Sequence, residues 1–76
     1  MKTPLYLCRK KAGFSLEQLA MECGTSTPTL SRIERGMSKN TSGATCLELI
    51  NRLGRYGLTL DNLINPEKYP NFITKE

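Results

Sequence analysis

The sequence predicts an all-α domain of about five short helices followed by a short C-terminal tail. Capping residues recur ahead of apolar residues spaced three and four apart, and a glycine or an Asn-Pro pair follows each such segment. The 76 residues suffice for one small domain. A chain of this size buries about 60% of the surface its unfolded form exposes, which leaves a thin core and favours a binding module over a catalytic cleft.

Thr3-Pro4 opens the first helix, because a capping hydroxyl precedes a proline whose missing N–H would have had no helical partner. Leu5, Cys8, Arg9 and Ala12 then share one face, so this helix is expected from Pro4 to Ala12, with Gly13 ending it in the left-handed conformation. Ser15-Leu16-Glu17-Gln18 is a capping box, and Phe14 and Leu19 flank it as a hydrophobic staple. Leu16, Leu19, Ala20 and Cys23 form the apolar face of the second helix, which Gly24 terminates. Ser26 caps a third helix opening at Thr27-Pro28, with Leu30 and Ile33 as its buried face and Gly36 as its end. Two short helices, each independently capped and joined by a turn of a few residues, make Ser15 to Gly36 a helix-turn-helix.

From Met37 to Ser42 the chain is polar and aperiodic, hence a loop. Thr41 or Ser42 caps the fourth helix, whose Leu47, Leu49, Ile50 and Leu53 give a wide apolar stripe before Gly54 or Gly57 stops it. Thr59 caps a fifth helix, Leu60 to Ile64, ended by Asn65-Pro66. The rest holds Tyr69, Phe72 and Ile73 among prolines and charges and is too short to fold alone. The expected division is a helix-turn-helix domain over 1–65 and a tail over 66–76.

Eleven Lys and Arg stand against seven Asp and Glu, enough to favour a polyanion. Residues 1–55 hold nine of the basic and four of the acidic groups, so a polyanion is expected to meet the first two-thirds of the chain. Cys8, Cys23 and Cys46 are odd in number, lie in no metal-ligand spacing and follow no signal peptide. They read as reduced thiols packed as small hydrophobes, with no metal, no disulfide framework and a cytoplasmic location. No apolar run approaches the roughly 20 residues of a membrane span, so a soluble protein is expected. Without histidine, a plausible carboxylate pair or a glycine-rich phosphate loop, the chain does not read as an enzyme, and no cofactor is implied.

The pattern L-x-x-x-R-x-x-x-G-F-S-L-E-Q-L-A-x-x-x-G-T-S-T-P-T-L-S-R-I-E-R-G, from Leu5 to Gly36, resembles the Cro/phage-repressor helix-turn-helix family, the lambda-repressor-like or XRE type. The likeness rests on Arg9, Gly13, Ser15, Leu19-Ala20, Gly24, Ser26, Leu30-Ser31, Ile33-Glu34 and Gly36. It implies a lambda-repressor-like bundle whose third helix enters the major groove of double-stranded DNA while the second crosses the backbone. Thr27 and Pro28 would then open the recognition helix, with Ser31 and Arg32 one turn further on. Arg32 is the leading candidate for base readout, since a guanidinium bonds guanine O6 and N7 together. Ser15 and Ser26 would set helix N-termini against phosphates, and Arg35 would reach a phosphate at the helix end. The family's usual glutamine after Ser15 is Leu16 here, so its phosphate contact is lost or moves to Gln18. Thr25 replaces an aliphatic turn residue, which implies a less tightly held turn.

By the same resemblance, Arg9 and Glu34 form a structural ion pair between the first and third helices. Lys39, Asn40 and Thr41, with Ser42, belong to a loop that grips the phosphate backbone, and Arg55-Tyr56-Gly57 reads as an insertion relative to many members. The implied function is a homodimeric transcriptional regulator on an inverted-repeat operator. Leu58, Leu60, Leu63 and Ile64, with Tyr69, Phe72 and Ile73 of the tail, are its candidate dimerisation surface, or else the cover of its own core. An antitoxin-type protein that holds a toxin partner and autoregulates its operon, or a restriction-modification controller, is the alternative.

Overall fold

The computed structural model describes residues 2–37 and 42–75. The elements are α1 (Pro4–Ala12), α2 (Leu16–Glu22), α3 (Thr27–Glu34), α4 (Gly43–Leu53) and α5 (Leu60–Ile64), with 3-10 turns at Gly54–Tyr56 and Pro66–Lys68. Among the described residues there is no strand. The capping hydroxyls meet their targets: Ser15 accepts from the Gln18 amide, Ser26 from Thr29, Ser42 from Thr45 and Thr59 from Asn62. Side-chain capping therefore starts all four helices after α1, and Ser42 is the cap of α4.

The core is one cluster: Leu5 and Cys8 of α1, Leu19, Ala20 and Cys23 from α2 and its end, Leu30 and Ile33 of α3, Cys46, Leu49 and Leu53 of α4, then Leu58 and Leu63. Helices α2 and α3 pack on each other, while α1 lies against α4, α5 and the Gly54–Tyr56 turn. Six of these leucines are no more than 1% exposed, and truncating a leucine so enclosed costs roughly 2–5 kcal/mol.

Two expectations are corrected. Leu47 is 64% exposed, because the core face of α4 is set by Cys46, Leu49 and Leu53, and Leu47 sits about 100° round the helix from Cys46. Leu58 and Leu63, expected on a dimer surface, are 3% and 1% exposed. They fill the chain's own core and cannot face a partner. Helix α4 ends at Leu53 with Gly54, one of the two glycines expected to stop it, as its cap; the chain then tightens into the Gly54–Tyr56 turn, which the left-handed Gly57 closes.

The segment after α5 folds back onto the domain. Pro66 is buried, and a Cβ at Gly36, where φ is +88°, would stand 3.1 Å from the Pro66 Cγ. That position therefore requires glycine twice over, for its backbone and for its neighbour. Phe72 packs against the core, and the Lys75 N–H donates to the Tyr56 carbonyl at 2.8 Å. The same carbonyl takes the Cys8 thiol at 3.7 Å, so the turn before Gly57 joins α1 to the tail. Tyr69 donates its hydroxyl to the Asp61 carboxylate, whose other oxygen accepts from Asn65 at 2.9 Å.

Candidate nucleic-acid interface

Helix α3 buries Leu30, Ile33 and Glu34 and turns the opposite side outward. At 100° per residue the centre of that outer side is Pro28, Arg32 and Arg35, spaced i, i+4 and i+7, and all three are exposed. Thr27 and Ser31, half-buried, flank this line on one side, and Thr29 flanks it on the other. Thr29 was not singled out from the sequence. It takes the Ser26 hydroxyl at 2.8 Å, so it belongs to the cap, and the Ser-x-x-Thr spacing was the available signal. The only carboxylate of α3 is Glu34, which is buried and paired, so the outer face of this helix presents guanidinium groups and hydroxyls without an opposing acid.

The N-terminus of α2 supplies a second exposed polar edge. Ser15 and Gln18 are both exposed, but the Gln18 Oε1 accepts the Ser15 N–H at 3.1 Å while the Ser15 Oγ accepts the Gln18 N–H at 3.0 Å. The glutamine is thus held in the capping box by its carbonyl end. Leu16 is half-buried against the core, which accounts for an apolar residue at the position where the resembled family uses glutamine. The turn between α2 and α3 is closed by Gly24 N–H to Met21 at 3.2 Å and Thr25 N–H to Ala20 at 3.0 Å, so the backbone holds it without an aliphatic side chain at Thr25.

Helix α3 is oriented chiefly from its C-terminal end. The Arg9 Nε donates to Glu34 Oε2 at 2.6 Å and its Nη2 to Oε1 at 3.1 Å, a two-pronged pair in which both side chains are 11% exposed. The remaining prong of Arg9 donates to the Phe14 carbonyl at 2.9 Å, and its guanidinium carbon lies 5.4 Å from the Tyr6 ring centre. The Thr3 hydroxyl, 3% exposed, donates to the Glu34 carbonyl. Both ends of α1 therefore grip one residue, Glu34. The sequence named Thr3 only as a cap; its reach to a carbonyl 31 residues away carried no local signal. On the far side of the motif, Arg52 of α4 pairs with Glu48 on its own helix and with Glu22 of α2 at 3.5 Å.

Lys39, Asn40 and Thr41 lie outside the described residues. The three thiols are buried, and burial pushes Cys8 up to about 11 and raises Cys23 and Cys46, which keeps them protonated and unreactive near neutrality. Among the described residues, no group of three or more His, Cys, Asp and Glu could hold a metal ion, and no helix is long and apolar enough to cross a membrane.

A helix-turn-helix family model matches residues 5–60. The chain is 53% identical over 36 residues to the HTH-type transcriptional regulator SlrR of Bacillus subtilis, a stretch covering 47% of this chain and 24% of that protein's length. Among solved structures it is similar to the N-terminal DNA-binding domain of SinR from Bacillus subtilis, with a TM-score of 0.61 and 28% identity over 80% of this chain and 84% of that one. A complex of SinR with the SinI protein gives a TM-score of 0.63 and 27% identity over 83% of this chain and 58% of that one.

Proposed function

Because the chain belongs to the helix-turn-helix family, whose model spans residues 5–60, we propose that it is a cytoplasmic transcriptional regulator that binds an inverted-repeat operator as a homodimer. The observation that carries this reading is the outer face of α3, where Pro28, Arg32 and Arg35 line up beside Thr27 and Ser31 with no exposed carboxylate on the helix. Arg32 reads a base edge by bidentate bonding, Thr27 and Pro28 add shape and methyl contacts, and Arg35 takes a phosphate. Ser15, Gln18 and Ser26 set the N-termini of α2 and α3 against the backbone. Lys39, Asn40 and Thr41 grip the next phosphates. With Pro28 at the centre of the reading face, hydrogen-bond readout narrows to few side chains and DNA shape supplies part of the specificity.

Dimerisation sets two recognition helices about 34–36 Å apart, one turn of the duplex. Of the apolar residues named for that role, Leu60 and Ile64 of α5 are about half exposed and spaced i, i+4, so they are the residues with surface to offer. Tyr69 and Phe72 are half-buried in the fold, the first on Asp61 and the second on the core, and Ile73 is exposed beside Leu7 and Phe72. Selection of bound sequences from a random duplex library tests the proposal. A two-fold symmetric consensus supports it, whereas an asymmetric consensus or none refutes it. A second reading, a protein partner of the antitoxin kind that the chain holds while autoregulating, draws support from the likeness to SinR as found with SinI. Co-purification with the product of an adjacent gene would favour that reading.

A further inference from the structure

We propose that Thr3 is a positioning residue for DNA recognition: its hydroxyl, by donating to the Glu34 carbonyl, fixes the roll of α3 about its axis and so aims Arg32 at its base. This rests on the reading of α3 given above, in which Arg32 contacts a base edge.

The Thr3 hydroxyl makes two bonds at once. Its oxygen accepts the Tyr6 N–H at 3.4 Å, which caps α1, and its proton goes to the Glu34 carbonyl in the last turn of α3. A helix end leaves its last four carbonyls without an intrahelical partner. Here the amides that follow take three of them: Arg35 donates to Ser31 and Arg32, Gly36 to Ile33 and Met37 to Arg32. The fourth, on Glu34, takes Thr3. The chemistry calls for a hydroxyl. As a cap alone, Asp or Asn would serve α1 at least as well as Thr. An ionised carboxylate only accepts, however, and an amide puts its donor and its acceptor on separate atoms, whereas a hydroxyl offers both at one point.

Glu34 is held twice, and the two ties differ. Arg9 grips the carboxylate, at the far end of a side chain with rotatable bonds, while Thr3 grips the main chain of α3 itself. Leu30 and Ile33, 0% and 2% exposed, set which side of α3 faces inward. Apolar burial is non-directional, whereas a hydrogen bond weakens steeply as its angle closes, so the tie to the carbonyl fixes the roll more finely than burial does. Arg32 precedes Glu34 by two residues, about 200° round the helix, so a roll that moves one swings the other the opposite way. At a side-chain radius of about 6 Å, a roll of about 20° shifts the tip by ~2 Å, against the ~0.5 Å within which a binding group has to be held. At 3% exposure Thr3 does not touch DNA, so its effect on sequence preference travels through α3.

The test uses the full chain with two duplexes, one carrying the sequence selected from the random library and one with that sequence scrambled. Thr3→Val removes the hydroxyl, Thr3→Asn keeps an acceptor for α1 but displaces the donor, and Thr3→Ser retains both functions. Cys46→Ala thins the core at α4 and controls for lost stability alone. Binding is measured where far-UV circular dichroism shows each variant folded. Thr3→Val and Thr3→Asn are expected to lower the preference for the selected duplex by about tenfold, or ~1.4 kcal/mol, with scrambled-duplex binding unchanged. Thr3→Ser and Cys46→Ala should keep the wild-type preference, and amide shift changes in free Thr3→Val should reach Ser31 and Arg32. Wild-type preference in both Thr3→Val and Thr3→Asn, the same loss in Thr3→Ser or Cys46→Ala, or equal weakening on both duplexes overturns the proposal. A wild-type chain that prefers no sequence overturns the reading of α3 itself, and this proposal with it.

Discussion

Replacing Arg9 by alanine is the sharpest test of how α3 is held. The substitution leaves the Glu34 carboxylate, 11% exposed, without its two guanidinium donors and takes the N–H from the Phe14 carbonyl. Breaking one side of a buried pair costs about 3–5 kcal/mol, and the small remaining exposure puts the expected loss near the lower end, about 3 kcal/mol. A domain of this length has roughly 4–11 kcal/mol to lose. At about 4–8 °C per kcal/mol for a domain of this size, the melting temperature should fall by about 12–24 °C. Urea unfolding followed by far-UV circular dichroism measures it, with an unchanged dependence on denaturant showing that the unfolded state is not the cause. Arg9→Met combined with Glu34→Leu should recover much of the loss, since no stranded charge remains. A loss under about 1 kcal/mol for Arg9→Ala would place the pair among exposed ion pairs and refute the clamp.

Arg32→Ala is expected to cost about 1–3 kcal/mol and to relax preference at one position of each half-site, whereas Lys39→Ala should weaken all duplexes alike and lower the salt slope by about one; binding-site selection and salt titration separate the two, and the reverse pattern would exchange the roles. Leu60→Glu with Ile64→Glu should shift sedimentation from dimer to monomer while the helical signal persists. Removing residues 69–76 is a poorer version of that experiment, because it uncovers the core at Phe72 and cuts the Tyr69 link to Asp61. Hydrogen bonds from Tyr69 and Asn65 hold the Asp61 carboxyl below the ordinary aspartate value, so it contributes stability above that value that is lost as pH falls through its folded-state pKa. The same Asp61 bond raises Tyr69, whose contribution is present below the ordinary tyrosine value and lost as pH rises through its raised one. Melting curves of Tyr69→Phe across pH should therefore lose part of both the acid and the alkaline dependence, and unchanged curves would show the bond contributes nothing. Thiol labelling at pH 8 should be slow in the folded chain and fast in denaturant, since Cys8, Cys23 and Cys46 are all buried.

The helices were legible because their signals are local. A cap acts on an amide three residues away, a proline acts on its own φ, and i, i+4 spacing marks a face whatever that face meets, so α1, α2, α3 and α5 run as the caps and stops predict. The outer face of α3 was legible for the same reason: once Leu30 and Ile33 are taken as buried, Pro28, Arg32 and Arg35 follow from helical geometry. The resemblance supplied the pairing of Arg9 with Glu34, which periodicity alone could not provide.

What tertiary structure alone decided is where an apolar residue finds its cover. Leu58 and Leu63 look like Leu60 and Ile64 in sequence, yet the first two are buried in the core cluster while the others stay about half exposed. Leu47 joined a stripe on paper and is exposed because the stripe is wider than the face α4 buries. The tail carried no periodic signal, and its course is set by contacts across the chain: Pro66 against Gly36, Phe72 on the core, Lys75 on Tyr56. Such contacts join residues tens of positions apart, and their stabilisation depends on shape and closure that no local window contains. The sequence by itself determined the helices, the motif and the outer face of α3; only the packed chain decided which leucines are core and how Thr3 and Arg9 together hold Glu34, because both depend on contacts between residues far apart in the chain.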